Sequence, residues 1–342
     1  MKKITALLSS FILLLNFAVP VSAKKEYKKV SVDVPPKIVF LGDSIATGYG
    51  LEGYDTGKEN CNSYANQLAK EYKAQLDGKC ETNSENFAID GQTSEELLKA
   101  LQSGKYDESL KNADAVVVSI GGNDLLSVFW QIFSQNSDLN SQSNQNDNIF
   151  ADNFDWSKLI ASVLDMTSNI DKKITAFNSN ISEIAKNIKN KTDANLVVQT
   201  LYNPFEDFVE VKQIQDFIAD KIKSLNDCIE SHKNDDGANY SIADVCSEFY
   251  GRNNELTRIQ SMDIHPNQEG HNVIFKCIDK TIRLEKYTYM QEIETTPAQS
   301  ESISENKASI FIWIAAAILL QIIIIFTVRK INSNKRKDKS NK

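Results

Sequence analysis

The chain is poor in the residues that punctuate, staple or metallate a fold: 342 residues hold 6 Pro, 13 Gly, 5 Cys and 3 His. So little Pro and Gly excludes a collagen-like or wholly disordered chain. The cysteines, at 61, 80, 228, 246 and 277, are scattered and form no C-x-x-C, which excludes the common zinc patterns. No metal and no cofactor is expected. Basic residues are also short, 38 Lys/Arg against 46 Asp/Glu, and they gather at the ends. Lys2 and Lys3 open the chain and seven Lys/Arg follow Val328. Without those two ends the remainder carries roughly −16. Such a body repels nucleic acid and anionic headgroups, and no nucleic-acid partner is expected. What is present is an ordinary globular balance, 41% hydrophobic and 25% charged, with no internal repeat.

Both ends address a membrane. Residues 1–23, MKKITALLSSFILLLNFAVPVSA, place two lysines before an apolar run and end in Val21-Ser22-Ala23. This is the pattern of a secretory signal peptide. Ala308–Val328 is a stretch of 21 residues without a charge, the length needed to cross a bilayer. A basic tail, 329–342, follows at once and predicts that the preceding domain lies outside. Residues 24–36 are expected as an N-terminal linker and 286–307, polar and Pro/Ser-bearing, as a flexible stalk.

Between the ends, short β-rich apolar runs alternate with longer helical patterns. Strands are expected at Ile38–Leu41, Asn86–Ile89, Ala115–Ile120, Leu196–Leu201 and Tyr240–Val245. Helices are expected near 62–76, 93–102, 157–191 and 211–232, and after Asn267. The alternation predicts an α/β domain over 37–285, with a central parallel sheet covered by helices on both faces. Ligands of such sheets bind beyond the carboxyl ends of the strands. The polar insertion 134–148 cannot bury enough apolar area to order itself. A lid with apolar edges and a solvated loop both fit it.

The residues at the predicted strand ends carry the chemistry. Gly42-Asp43-Ser44 follows the first strand and lets a hydroxyl project from a tight turn, although Ser and Asp also favour helix caps. Gly91 after the second strand can offer a backbone N–H to an oxyanion, or simply make a turn. Asn123, in Gly121-Gly-Asn-Asp124, has a side-chain amide that can donate to the same oxygen. A serine nucleophile needs a base. His232 lies in a charged helix end and is expected to be solvated; His271 falls in the last helical pattern and is assigned to structure. His265, beside Pro266, suits a fixed base. Gly48-Tyr-Gly-Leu-Glu-Gly53 is a literal G-x-G-x-x-G, but it begins well past the strand and is read as a chance loop rather than a dinucleotide site.

Ser44, Gly91, Asn123 and His265 in that order resemble the blocks of the SGNH (GDSL-type) hydrolase superfamily over about residues 37–285. Leu201-Tyr-Asn-Pro-Phe205 is similar to a run in lipase-like members from Gram-positive bacteria. The resemblance implies a three-layer α/β/α flavodoxin-like fold and ester or thioester hydrolysis without metal. It implies Ser44 as nucleophile, His265 as base, and an oxyanion hole from the Ser44 and Gly91 N–H groups and the Asn123 amide. Members usually carry Asp three residues before the His. Here Met262 stands at that place, and Asp263 only two before, so either Asp263 or a backbone carbonyl is expected to orient the ring.

The expected activity is that of an outward-facing, membrane-anchored ester hydrolase acting on a small ester, a lipid or an acylated carbohydrate. An O-acetyl esterase of envelope carbohydrate and a catalytically silent surface-binding protein are the alternatives. Export also leads to an expectation of disulfides, Cys61 with Cys80 and Cys228 with Cys246.

Overall fold

The computed structural model describes residues 25–126, 128, 156–206, 212–261, 263–293 and 302–340. The expected signal peptide, the 134–148 insertion and Met262 lie outside them. In chain order the elements are β1 (Glu26–Val32), β2 (Lys37–Gly42), α1 (Ser44–Thr47), α2 (Tyr64–Leu76), β3 (Asn83–Asn86), α3 (Ser94–Gln102) and α4 (Asp107–Lys111). Then follow β4 (Ala115–Ser119), α5 (Trp156–Lys189), β5 (Asn195–Gln199), α6 (Lys212–His232), β6 (Ser241–Ala243), α7 (Val245–Phe249) and α8 (Asn253–Leu256). The last are β7 (Thr257–Arg258), β8 (Asp263–Pro266), α9 (Gln268–Ile282), β9 (Tyr287–Ile293) and α10 (Ser302–Ser340).

One compact unit spans Lys29–Met290. Its centre is a parallel sheet of five strands in the order β3-β2-β4-β5-β6, the flavodoxin-like arrangement. Strand side chains alternate between faces, and both faces are covered, so the central strands read as unbroken apolar runs. Val39, Leu41, Val116, Val118, Leu196 and Val198 pack towards α3, α5 and α6. Ile38, Phe40, Ala115, Val117 and Val197 pack the other way, towards α2 and α9. Helix α2 meets them with Tyr64, Leu68, Tyr72 and Leu76, one per turn. Its start is fixed by Ser63, whose hydroxyl accepts the Asn66 N–H. Each fully buried aliphatic contributes roughly 1.5–3 kcal/mol. Removing the ring of Phe40, which has no exposed surface, would cost about 3–5 kcal/mol.

β4 lies on the other side of β2 from β3, so the strand order reverses between β2 and β4. The loops leaving those two strands part there and open the crevice in which such sheets place their ligands.

Several expectations need correcting. The second strand is Asn83–Asn86, not Asn86–Ile89. It is the sheet edge, so its side chains are polar and half exposed, and the apolar Phe87 and Ala88 follow it as the chain turns in. The expected linker and stalk contain β1 and β9, which pair as a separate two-stranded sheet. No disulfide forms: all five cysteines are free. Cys61 precedes α2 and Cys80 follows it. A helix of 13 residues is about 20 Å long, whereas bridged Cα atoms must lie within about 7 Å. Cys61 instead donates its thiol to the Lys58 carbonyl at 3.2 Å.

A second unit takes in the described residues 25–28, 291–293 and 302–340. Within it, Phe311–Lys330 of α10 is long and apolar enough to cross a membrane. Phe311, Trp313 and Phe326 are among its exposed side chains.

Candidate active site

At the end of β2 the backbone turns under close constraint. Gly42 has φ 136°, and a Cβ there would be driven into the Ser119 carbonyl of β4. That same carbonyl accepts the Asp43 N–H at 3.0 Å. Asp43 caps α1, its carboxylate accepting the Ile45 N–H at 3.1 Å. The cap is therefore supplied by Asp43, and the Ser44 hydroxyl on the first residue of α1 is left for other work. Asp43 is wholly buried, and desolvation, helped by the Asp124 and Asp90 carboxylates, pushes its pKa up to about 7. Gly48 ends α1 in the left-handed conformation, φ 80°.

The loop after β3 is held against α1 by Asp90, which accepts the Thr47 hydroxyl at 2.5 Å and also the Tyr54 hydroxyl. Gly91 follows with φ 75°; nothing crowds its missing Cβ, so the demand on this position is torsional. The loop after β4 is fastened to this one twice. The Asn123 amide donates to the Gln92 carbonyl at 3.1 Å. Buried Asp124 accepts the Ser94 N–H at 3.0 Å and the Ser94 hydroxyl at 2.5 Å. One Asn123 amide hydrogen stays free of that bond, and among the described residues no acceptor takes the Ser44 or Gly91 N–H.

The third contribution comes from the antiparallel pair β7–β8. His265 Nε2 lies 2.9 Å from Ser44 Oγ, and its Nδ1 lies 2.5 Å from Asp263 Oδ1. Residues two apart on a strand share a side, which is how Asp263 reaches the ring. The His265 N–H donates to the same Oδ1 at 3.0 Å. Burial would raise the Asp263 pKa, but hydrogen bonds from His265 and Arg258 hold the carboxyl well below the usual carboxylate range. Tyr202, in the Leu201–Phe205 run, donates to the Ile264 carbonyl at 2.8 Å and steadies this strand from the end of β5.

The other two histidines are accounted for. His271 has no exposed surface, and its Nδ1 accepts the Tyr64 N–H at 3.2 Å. Burial, with the nearby Arg258 charge, pushes its pKa down to about 3, so the ring is neutral. His232 is not free in solvent as expected: Nδ1 pairs with Asp235 at 2.6 Å and Nε2 meets Asn178 at 3.1 Å. Among the described residues no group of three His, Cys, Asp or Glu is placed to hold a metal.

Sequence reasoning missed Arg258, Tyr49 and the use of Gly48, Gly50 and Gly53. All three glycines have positive φ, 80°, 73° and 86°, and carry the loop from α1 past His265. The Tyr49 ring centroid lies 4.7 Å from that of His265. The triple glycine, read from the sequence as a chance loop, was the available signal, since it follows the Ser turn directly.

A hydroxyl beside one imidazole nitrogen, with a carboxylate on the other, is able to lose its proton and attack an electrophilic carbon. The model of a family described as GDSL-like lipase/acylhydrolase matches residues 40–273. A protein of Bacillus subtilis (strain 168), YpmR, itself uncharacterized, is 23% identical over 289 residues, 83% of this chain and 97% of that one. Among solved structures, the lipase Lip_vut3 from a goat rumen metagenome superposes with a TM-score of 0.51 at 19% identity, covering 73% of this chain and 99% of that one. An extracellular lipase from Streptomyces rimosus gives a TM-score of 0.49 at 17% identity, over 72% and 99%.

Proposed function

As this chain belongs to the GDSL-like lipase/acylhydrolase family and is an ester-hydrolysing enzyme, we propose that it works through an acyl-enzyme on Ser44. His265 takes the Ser44 proton as the hydroxyl attacks the acyl carbon, and Asp263 orients the ring and stabilises the imidazolium. The carbonyl oxygen gains negative charge and is met by the Ser44 and Gly91 N–H groups and the Asn123 amide. His265 then protonates the leaving alcohol, and water repeats the sequence to free the acid. The observation that carries this reading is the unbroken line from Ser44 Oγ to His265 at 2.9 Å and on to Asp263 at 2.5 Å. It is tested with the full chain in detergent and short-chain p-nitrophenyl esters. Hydrolysis should be measurable and Ser44→Ala should abolish it; undiminished turnover in that variant would rule out the serine mechanism.

The same proposal places the enzyme at a cell membrane, with residues 1–23 removed on export and the hydrolase outside. Its supports are the apolar helix Phe311–Lys330 and the basic residues that follow it. Protease added to intact cells should release an active soluble fragment cut between 294 and 307. Protection of the hydrolase until the cells are lysed would reverse the orientation.

A further inference from the structure

Arg258 takes no part in the steps above, yet it holds the one oxygen of Asp263 that His265 leaves open. Its Nε donates to Asp263 Oδ2 at 2.7 Å, and its Nη2 donates to the Tyr49 carbonyl at 2.9 Å. One guanidinium thus ties β7–β8 to the loop that leaves α1. Only 22% of the Arg258 side chain and 30% of the Asp263 side chain is exposed, so the pair is partly desolvated and its bond is charge-assisted. Room for it comes from Gly50, where a Cβ would be driven into the guanidinium. Tyr49, whose carbonyl the guanidinium fixes, lies with its ring tilted at 44° to His265.

We propose that Arg258 is a positioning residue for the His265–Asp263 pair, fixing the carboxylate by its second oxygen and seating Tyr49 against the imidazole through the gap left at Gly50. This rests on the Ser44–His265–Asp263 reading. A carboxylate held by one oxygen can swing about its last torsion, which is broad. Held at both, Asp263 presents Oδ1 to Nδ1 in one orientation. The guanidinium charge also tempers the pull of Asp263 on a proton at His265. Among the described residues, the charged and titratable groups facing this pair include Arg258 beside it, His271 on α9, Tyr202 after β5, and Tyr49 against the imidazole.

The test uses the full chain in detergent. With three histidines, the imidazole proton resonances can be followed by NMR and assigned with His265→Gln. In Arg258→Ala the His265 ring resonances should move while those of His232 stay put. Ester turnover at its plateau should fall about 10- to 100-fold with KM changed less than about threefold. Millimolar guanidinium should restore part of that turnover. Arg258→Lys keeps the charge but cannot span both acceptors, so its turnover should fall between the two. Gly50→Ala should cost more turnover in the parent than in Arg258→Ala, because only the torsional strain at Gly50 remains once the guanidinium is gone. A folded Arg258→Ala with unmoved His265 resonances and turnover within about twofold of the parent would overturn the proposal, as would a Gly50→Ala loss at least as large in Arg258→Ala as in the parent. If the unaltered chain hydrolyses no ester, the functional reading fails, and the resonances still decide whether Arg258 acts on His265.

Discussion

His265 and His271 stand six residues apart, one on β8 and one in the first turn of α9, and they end in opposite states. His265 has a partner at each ring nitrogen, a hydroxyl on one side and an ionised carboxylate on the other. His271 accepts one backbone N–H, leaves Nε2 without a partner and has no exposed surface. Burial alone makes a histidine a neutral packing group; a carboxylate at the right nitrogen makes it ready to hold a proton. In the sequence Pro266 and a helical pattern set the two rings apart; in the fold their partners do.

The largest break in this comparison should come from exchanging their fates. His265→Ala should lower turnover about 10³-fold or more, and Ser44→Ala on top of it hardly further, because the two act as a unit. His271→Ala should change turnover per folded molecule less than about threefold but cost about 3 kcal/mol of stability, read by denaturant melts. Comparable turnover losses at both positions would erase the distinction.

Asp263→Asn sharpens it by removing only the charge. Turnover should fall by an amount approaching that of the serine variant, with the fold intact. A loss under about tenfold, or 1.4 kcal/mol of barrier, would leave a Ser44–His265 dyad without need of the carboxylate.

The smallest effect is a pH dependence of stability. Folded His271 takes up its proton only near pH 3, against 6.5 for the free side chain. Its contribution is therefore complete above 6.5 and is lost as pH falls towards 3, by at most about 1.4 kcal/mol per unit. Asp43 runs the other way. It stays protonated in the fold up to about 7, against 3.8 when free, so its contribution is complete below 3.8 and is lost as pH rises through 7. Between about pH 4 and 6.5 the two oppose each other. Relative to the parent, Asp43→Asn should gain stability with rising pH there and His271→Gln should lose it, and parallel curves for all three would show that neither group titrates as described.

Much of this was legible in the sequence. Ile38–Leu41, Ala115–Ile120 and Leu196–Leu201 read as strands because a strand buried on both faces must be apolar throughout. β3 did not, because an edge strand keeps one side in water and NSEN carries no apolar signal. The turns at Gly42-Asp43-Ser44, Gly91 and Gly121-Gly-Asn-Asp124 were legible since tight strand-to-helix turns demand glycine. Arg258 was not, because its role depends on two partners, Tyr49 and Asp263, that only the folded chain brings together. The Cys61–Cys80 pairing went wrong on length alone, as the helix between them keeps them too far apart.

The pairing of β1 with β9 has a mechanical side. The two strands nearest the ends of the hydrolase body are zipped to each other, with Lys25 on Glu292 at 3.0 Å and Lys286 on Asp33. Because that sheet has just these two strands, fraying of either strips the other of its ladder, and the two are kept or lost together.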